Sequence, residues 1–186
     1  MESIKGLKHD LRNHFMTLHA LATDGNAQEL IKYIEEMESL TELHKNYIDT
    51  KNVILDSILN YKIFESEKKG ITIVPDVIFP SDVRLDTYDL TVVLGNLLDN
   101  AMEASANRRV NITVRYKKGC MTIKVINDFS GKLNYDLDGH LKTGKMESQH
   151  GLGLKNVERI TGKYNGMLDV QAVNQNFEAF VLLYIE

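Results

Sequence analysis

The spacing of apolar residues changes near Gly70, and this change restricts the folds open to the chain more than any other feature. Before Gly70 the apolar residues recur every three or four positions, which is the period of amphipathic helices. After Gly70, several segments alternate apolar and polar residues, which is the period of strands. The sequence therefore predicts a helical part followed by a part that combines helices with a sheet.

Two amphipathic helices make up the first part. The first begins at Ile4, the sequence TDGNA at residues 23–27 interrupts the pattern, and the second continues to Leu43. Two helices joined by a short turn form an antiparallel hairpin, and one hairpin alone cannot bury both apolar stripes. We therefore assign residues 1–46 to a helical domain and expect a homodimer through these helices, in the form of a four-helix bundle.

Residues 47–186 are predicted to form an α+β sandwich, in which a mixed sheet carries helices on one face. A third helix ends at Gly70, and Asp86 stands where the N-cap of a fourth helix belongs. The strands are predicted to form two hairpins, VNITVRY with CMTIKVI and MLDVQAV with FEAFVLLYI. A polar loop of about residues 128–149 separates the two hairpins, and in compact domains such long loops are usually functional lids or disordered.

The composition argues against several partners and compartments. A net charge of −4 gives no basic surface for nucleic acid or for an anionic membrane. Cys120 is the one cysteine, so no internal disulfide can form, which favours a reducing compartment. The sequence has no apolar run of membrane-spanning length and no signal-peptide pattern at its start. We therefore expect this fragment to be cytoplasmic and to make no membrane contact.

The segment NLLDNAMEA carries polar residues in an otherwise apolar helix. Asn96, Asn100 and Glu103 are spaced i, i+4 and i+7, so they form a stripe along one face. Solvated helix faces are usually filled by Lys and Glu, which are better helix formers than Asn. Two asparagines one turn apart direct carbonyl oxygens to a common point, where Mg²⁺ bound to phosphate oxygens could use them. A half-exposed helix with solvated amides is the alternative.

Two further segments carry residues that suit a ligand. Gly151 and Gly153, in HGLGLKN, stand at the entrance of a helix, where backbone N–H groups are free and a phosphate can approach closely. Taken alone, these glycines are explained more simply by an ordinary tight turn. Asn127 ends a predicted strand, where a turn residue is the alternative to a functional one.

In this order the three segments resemble the motifs of the GHKL ATPase superfamily. The superfamily includes gyrase-type topoisomerases, the ninety-kilodalton heat-shock chaperone and bacterial sensor histidine kinases. NLLDNAMEA is similar to the N box, VINDFSG stands where the first glycine box belongs, and LKTGKMESQHGLGLKN is similar to the ATP lid with the second glycine box. The resemblance covers about residues 51–186 and implies the GHKL (Bergerat) α/β sandwich, with ATP and Mg²⁺ as ligands.

The resemblance also implies a role for each matched residue. Asn100 would ligate Mg²⁺, and Asn96 would support the metal or the phosphates from the preceding turn. Lysines of the lid would screen the charge of the β and γ phosphates. The other implied nucleotide-binding residues lie in the lid and at its hinge, and they are Lys142, Thr143, Lys145, His150, Gly151, Leu152, Gly153 and Leu154.

Two positions depart from the family's patterns. The first glycine box of the family is D-x-G-x-G, whose Asp accepts a hydrogen bond from the adenine amino group, whereas this chain has Asn127, Phe129 and Gly131. An Asn carbonyl accepts the same bond without a charge. Many kinases carry Lys at the position of Glu103, but an acid is normal there in other branches of the superfamily, and Glu103 could act on the metal through water.

His9, the first residue of the sequence HDLRN, lies off the apolar stripe of the first helix and is predicted to face solvent. HDLRN resembles the H-D-x-x-N phosphoacceptor box of histidine kinases of the peptide-pheromone-sensing, Agr-like class, which also carry Asn in place of the first-box Asp. The resemblance implies that His9 accepts the γ-phosphoryl group of ATP. Asp10 would fix the tautomer of His9 and accept its proton, and Asn13 would position water or the acceptor.

The resemblance therefore implies a sensor histidine kinase of a two-component system. The kinase would phosphorylate His9 and pass the phosphoryl group to an aspartate of a response-regulator receiver domain, and a membrane sensor region that detects a peptide would lie upstream. Two alternatives stay open. One is a phosphotransferase scaffold with a degenerate ATPase-like domain. The other is a non-enzymatic regulatory module that binds ATP as a conformational ligand.

Overall fold

The computed structural model describes residues 4–39, 46–83, 85–128, 134–135, 141–142, 151–173 and 175–185. The chain divides into two compact units, Met1–His44 and Lys45–Glu186. No helix within the described ranges is long and apolar enough to cross a membrane. In chain order the elements are α1 (Ile4–Thr23), α2 (Ala27–Ser39), α3 (Val53–Lys68), β1 (Thr72–Ile78), α4 (Thr87–Ala104), β2 (Arg109–Lys117), β3 (Cys120–Asp128), β4 (Asn134–Tyr135), β5 (Leu141–Lys142), α5 (Gly151–Lys163), β6 (Met167–Val173) and β7 (Asn176–Tyr184).

The first unit consists of α1 and α2, which pack against each other. Residues 24–26 join them, with Gly25 at a φ of +74°. His14 Nδ1 and the Tyr33 hydroxyl lie 2.8 Å apart and link the two helices. Several large apolar side chains of the two helices remain exposed, namely Phe15, Met16, Ile31 and Ile34. The four-helix bundle that would cover them stays a prediction, as does the assignment of residues 1–46 as a separate functional domain.

The second unit contains a five-stranded sheet with the strand order β1-β2-β3-β7-β6. β1 pairs with β2 in parallel, because α4 crosses between them, and the other pairs are antiparallel. Both predicted hairpins are present, as β2 with β3 and β6 with β7. The predicted mixed sheet is therefore confirmed.

α3, α4 and α5 pack on the sheet and on one another. Along β3 every second side chain is buried, and Asn127 ends the row of apolar residues that begins at Met121. The helices contribute their apolar faces to the same core, through Leu55, Leu59, Leu94, Leu97, Leu98, Val157 and Ile160. Each side chain of this size contributes about 1.5–3 kcal/mol when it is fully buried.

The predicted helix ends agree with the structure. Asp86 caps α4, since its side chain accepts a hydrogen bond from the Asp89 backbone N–H at 3.0 Å. α3 ends in a basic turn that contains Lys68, and Gly70 follows at a φ of +67°, a conformation that favours glycine. Gly70 marks where the chain leaves α3 for β1, and Asp86 marks where the chain enters α4.

The segment of residues 46–52 leads into α3 and lies along it. Asn60 Oδ1 accepts hydrogen bonds from the backbone N–H groups of Tyr47, at 2.8 Å, and of the next residue, at 2.9 Å. Asp56 Oδ1 accepts from the backbone N–H of Thr50 at 3.0 Å and from its hydroxyl at 2.6 Å. This extended segment therefore belongs to the second unit.

The C-terminal end of α5 is a Schellman motif. The Gly166 N–H donates to the Thr161 oxygen at 2.8 Å, and the Asn165 N–H donates to the Gly162 oxygen at 3.2 Å. Asn165 has a φ of +50°, as this motif requires. A Cβ on Gly166 would lie 1.9 Å from the backbone oxygen of Leu182, so only glycine fits against β7 here.

We expect Gly166→Ala to destabilise the second unit, because the backbone of β7 cannot move away from the new Cβ. The free energy of unfolding should fall by roughly 2 kcal/mol or more, as in other overpacked sites. Gly162→Ala is the matched control, because its Cβ would meet nothing within 4 Å. It should raise the free energy of unfolding by up to about 1 kcal/mol. Urea unfolding measures both variants, and equal effects would contradict the contact at Gly166.

Candidate functional site

The amide stripe lies on the side of α4 that faces away from the core. Asn96 and Asn100 are half-buried and Glu103 is exposed, whereas Leu97 and Leu98 are buried. Asn96 Nδ2 donates a hydrogen bond to the backbone oxygen of the residue one turn earlier, Val92, at 2.7 Å. The amide oxygen of Asn96 is therefore left as the acceptor of this side chain.

The first turn of α5 lies directly against this stripe. A Cβ on Gly153 would lie 2.8 Å from Asn96 Oδ1 and 3.6 Å from Asn100 Nδ2, so a larger residue would displace Asn96. α5 begins at Gly151, and the backbone N–H groups in the first turn of a helix have no partners within the helix. The structure thus brings Asn96, Asn100 and the second glycine of GLGL together at a helix N-terminus, which is a favourable place for an anion.

Asn127 occupies the end of β3 and is 1% exposed. Its Nδ2 donates to the backbone oxygen of Asp128 at 2.8 Å. Its Oδ1 is the one buried side-chain polar atom of the described residues that has no hydrogen-bond partner. An unpaired buried acceptor costs about 1–3 kcal/mol, and native proteins keep few of them. The atom is therefore available to accept a hydrogen bond from a bound molecule.

Asp128 ties the end of β3 to the turn that follows α4. Its Oδ1 accepts from the Ser105 hydroxyl at 2.9 Å, and its Oδ2 accepts from the Asn107 backbone N–H at 2.7 Å. Partial burial would raise the pKa of Asp128, but the hydrogen bonds from Ser105 and from the backbone hold that pKa below its usual value. These bonds fix the position of Asn127 relative to the C-terminal end of α4.

A second carboxylate joins the other end of α4 to α5. Asp89 is buried in the first turn of α4, and its Oδ2 accepts from Lys163 Nζ and, at 3.0 Å, from the Tyr164 hydroxyl. Burial would raise the pKa of Asp89, but the hydrogen bonds from Lys163 and Tyr164 and the charge of Lys163 hold it below its usual value. The hydrogen bond to Asp89 also raises the pKa of Lys163.

A groove of about 660 Å³ lies between α3 and α4. Its α3 wall is mostly apolar and includes Ile54, Ile58 and Tyr61, while α4 contributes Val92 and Asn96. Asn96 therefore borders this groove as well as the first turn of α5.

The remaining predicted residues of the lid and its hinge are placed as follows. Leu152 is exposed, and Leu154 packs against the core. Lys142 lies in β5, and its side chain is outside the described part of the chain. Thr143, Lys145 and His150 lie outside the described residues.

In the first unit, His9 lies on α1 with an exposed side chain, as predicted. Asn13 is also exposed, and its Nδ2 lies 3.2 Å from His9 Nδ1, one helical turn away. This contact orients the imidazole ring: the amide nitrogen of Asn13 donates the hydrogen bond, and His9 Nδ1 accepts it. Asp10 follows His9 in the same helix, and its side chain is not described.

No local pattern in the sequence marks Asp89, Lys163 or Asp128 as functional. An acid in the first turn of a helix is already explained by the helix dipole, so Asp89 carries no distinctive signal in the sequence. Asp128 follows a strand, where polar residues are typical of turns. The one local hint was that Asp128 directly follows Asn127, which the motif comparison had singled out.

The fold and the site define the class of this protein. A mixed sheet packed with helices forms a two-layer sandwich, in which an amide-bearing helix lies against the N-terminus of a helix that begins with glycines. The GHKL domain family matches residues 85–184, which is more than half of the chain. The chain belongs to the GHKL domain family.

A relative with a matching sequence is described as a probable C4-dicarboxylate sensor kinase, from Halalkalibacterium halodurans. It is 21% identical to this chain over 187 residues, which cover 92% of this chain and 35% of the relative. The chain therefore spans about a third of the length of that relative, and the match includes most of both units.

Solved structures of histidine kinases share the fold. The catalytic domain of histidine kinase ThkA has a TM-score of 0.56 at 18% identity, covering 73% of this chain and 92% of that one. The Acinetobacter baumannii histidine kinase AdeS has a TM-score of 0.53 at 17% identity, covering 96% of this chain and 98% of that one. Full-length ShkA in complex with AMPPNP has a TM-score of 0.57 at 18% identity, covering 84% of this chain and 38% of that one.

The stability of the second unit should depend on the ionisation of Asp128. Because its pKa is below the usual 3.8 in the folded state, the unfolded chain binds the proton more readily, and this contribution to stability is lost as the pH falls through the folded pKa. Asp128→Asn should lower the free energy of unfolding at neutral pH by about 1 kcal/mol, since two charge-assisted hydrogen bonds become neutral.

Urea unfolding at a series of pH values, from neutral to acid, measures this effect. The difference between Asp128→Asn and the unmodified protein should vanish in acid, where Asp128 is protonated. Asp82→Asn, at an exposed turn, is the control and should behave as the unmodified protein at every pH. A difference for Asp128→Asn that persists in acid would show that the carboxylate charge is not what stabilises this turn.

Proposed function

We propose that the second unit binds ATP with Mg²⁺, at a site formed by Asn127, the amide stripe of α4 and the first turn of α5. The unpaired, buried Oδ1 of Asn127 is the observation that carries this proposal. By its resemblance to the family's motifs, Asn127 stands where the first glycine box of GHKL proteins contacts adenine, and no group of the described residues bonds to its acceptor oxygen. ShkA, which shares the fold, was solved with the ATP analogue AMPPNP, and this supports a nucleotide as the ligand.

The side chain of Asn127 is oriented to recognise adenine. Its Nδ2 is bonded to the backbone oxygen of Asp128, so the amide cannot turn its nitrogen towards a ligand without breaking that bond. The group it presents is an acceptor. Adenine carries an amino group that an acceptor binds, whereas guanine carries a carbonyl oxygen at the corresponding ring position. An acceptor fixed in this way would therefore favour ATP over GTP.

The amide stripe and α5 fit the phosphates and the metal. The backbone N–H groups at the start of α5 would bind phosphate oxygens, and the close approach at Gly153 keeps them beside the stripe. Asn100, with Asn96 beside it, would supply amide oxygen to Mg²⁺, and Glu103 would act on the metal through water. When bound, Mg²⁺ neutralises charge on the phosphate oxygens. Lys142, Thr143, Lys145 and His150 remain proposed lid residues.

Titration calorimetry with ATP and GTP in the presence of Mg²⁺ tests this site. We expect ATP to bind at least about tenfold more tightly than GTP, because guanine would place two acceptors face to face. Asn127→Ala should abolish most of this preference. Gly153→Ala should weaken both nucleotides by a similar factor, because its Cβ displaces Asn96 and leaves Asn127 in place. A preference that survives in Asn127→Ala would contradict the role of Asn127.

The whole chain is proposed to be the catalytic part of a sensor histidine kinase, with His9 as the phosphoacceptor. The relative described as a probable sensor kinase matches 92% of this chain, and AdeS aligns with 96% of it, so both likenesses reach into the first unit. His9 is exposed, and the amide of Asn13 contacts its ring, which would hold the ring in position for reaction.

The proposed reaction is an in-line displacement at the γ-phosphorus of ATP. A ring nitrogen of neutral His9 forms the new N–P bond, and the P–O bond to ADP breaks. Asp10 would accept the proton that the ring releases, and Asn13 would position water or the acceptor in later steps. The phosphoryl group would then pass to an aspartate of a response-regulator receiver domain.

The exposed apolar side chains of the first unit support a homodimer. Phe15 is 66% exposed and Met16 is 63% exposed on α1, and Ile31 is 54% exposed on α2. Large apolar groups clustered on a two-helix hairpin favour association, because a second hairpin would remove them from water. We therefore propose a dimeric four-helix bundle formed by α1 and α2.

The Agr-like, peptide-pheromone-sensing class remains a narrower proposal. It is supported by HDLRN on α1 and by Asn127 in place of the first-box Asp. It implies quorum sensing through a membrane sensor region upstream of this fragment, with the fragment itself in the cytoplasm and without contact to membrane or nucleic acid. A phosphotransferase scaffold and a non-enzymatic ATP-binding module are the alternatives that the next experiment distinguishes.

Incubation with Mg²⁺ and γ-labelled ATP tests the kinase function. We expect acid-labile, base-stable label on the protein and no label on His9→Gln, because that variant lacks the imidazole nucleophile. His14→Gln is the matched control, since His14 lies on the same helix and bonds to Tyr33, and it should keep the label. Label that persists in His9→Gln would move the acceptor to another residue. Bound ATP without label would favour the regulatory module, and absence of binding would favour the phosphotransferase scaffold.

A further inference from the structure

We propose that the ion pair between Asp89 and Lys163 is a positioning device, which sets the register of α5 along α4 and thereby the place of Gly153 at the nucleotide site. The proposal rests on the ATP site proposed above. It assigns a role to two charged residues that lie far from the glycines and from the amide stripe, at the opposite end of the helix pair.

Three contacts hold the C-terminal end of α5. The Tyr164 backbone oxygen accepts from the Tyr184 N–H at 3.1 Å, and Gly166 lies against the backbone of β7 without room for a Cβ. Asp89 adds the link to α4, through Lys163 and the Tyr164 hydroxyl. The sheet therefore fixes where α5 ends, and Asp89 fixes that end relative to the helix that carries Asn96.

The contacts in the middle of the pair formed by α4 and α5 do not fix the position of one helix along the other. Val157 and Ile160 are fully buried, but apolar contacts are not directional and allow one helix to slide on the other more easily than hydrogen bonds do. Thr161 is buried too, and its hydroxyl donates to the Glu158 oxygen of its own helix at 2.8 Å. The hydrogen bonds to the carboxylate of Asp89 have one defined geometry, which the contacts of Val157, Ile160 and Thr161 do not provide.

At the N-terminal end of α5, a small movement of α5 along α4 would alter the proposed nucleotide site. The backbone of Gly153 approaches Asn96 so closely that a Cβ would lie 2.8 Å from the amide oxygen. Asn96 is itself held by its bond to the Val92 oxygen. A displacement of α5 would therefore change the distance between the backbone N–H groups of its first turn and the amide oxygens of α4, which the phosphates and Mg²⁺ would have to bridge.

The ion pair is poorly suited to a purely stabilising role. Asp89 is buried, so the cost of removing its charge from water offsets much of the attraction to Lys163. The side chain of Lys163 is 56% exposed, and ion pairs with an exposed partner contribute little net stability. The exposed Lys163 therefore adds little net stability to the buried carboxylate, and the specific geometry that the ion pair imposes explains the pair better.

The test uses Lys163→Met in the full chain, because an exposed position accepts Met without disturbing the core. Lys163→Arg keeps the charge and should rescue the variant. Lys124→Met is the matched control, since Lys124 forms an ion pair with Glu178 on the sheet at 2.7 Å and has no contact with α5 in that pair. The measurements are the affinities for ATP and for adenosine with Mg²⁺, and the backbone amide resonance of Gly153 in the nucleotide-free protein.

We expect Lys163→Met to weaken ATP binding roughly tenfold while adenosine affinity stays within about twofold, because misplaced donors affect the phosphates and leave Asn127 unchanged. The Gly153 resonance should shift, although Gly153 lies about 15 Å along α5 from the substitution. Lys163→Arg and Lys124→Met should leave all three quantities unchanged. Equal weakening of ATP and adenosine, or an unshifted Gly153 resonance, would overturn the proposal.

The two proposals fail in different ways. If the unmodified protein binds neither ATP nor adenosine, the proposed nucleotide site is wrong, and the Gly153 resonance still decides whether Lys163 sets the position of α5. If the unmodified protein binds ATP and Lys163→Met binds it equally well, the nucleotide site stands and the positioning role is overturned.

Discussion

α4 packs against the core with one side and against α5 with the other, and the rest of the second unit depends on both contacts. Its apolar side, with Leu94, Leu97 and Leu98, belongs to the core beneath the sheet. Its polar side meets the first turn of α5, where a Cβ on Gly153 would displace the side chain of Asn96. A rotation of α4 about its axis would bury the asparagines and expose leucines. The hydrophobic effect that packs the core therefore also keeps the amide stripe on the side of α4 that faces α5.

The polar groups of the site depend on the stability of this core. Asn127 keeps an unpaired acceptor in the interior, and Asp89 keeps a carboxylate there, and both are unfavourable in the absence of partners. Burial of the apolar residues of the core, at about 1.5–3 kcal/mol for each large side chain, helps to offset that cost. Asp128 and Asp89 then use hydrogen bonds to fix the two ends of α4 against the strand and the helix that complete the site.

The two units bury their apolar residues in different ways. The second unit encloses a continuous core between three helices and five strands. The first unit is a pair of helices, on which Phe15, Met16 and Ile31 are exposed. This difference agrees with the proposed functions of the two units. The second unit is proposed to bind the nucleotide, and the first is proposed to carry His9 in a dimeric four-helix bundle.

The sequence by itself determined the helices, the two hairpins of the main sheet and the residues that resemble the family's motifs, whereas the short strands β4 and β5 lie in the segment predicted as a loop. The periods of three to four and of two residues predicted the helices and both hairpins, because local spacing decides which face of an element is apolar. The spacing of Asn96 and Asn100 predicted one shared face, and the glycines of GLGL predicted the entrance of α5.

Only the tertiary structure decided which distant residues meet. β3 pairs with β7 and Asp89 pairs with Lys163 across long stretches of chain, and a pairing of this kind leaves no local pattern. The unpaired oxygen of Asn127 likewise follows from what surrounds it in three dimensions, which no spacing along the chain records.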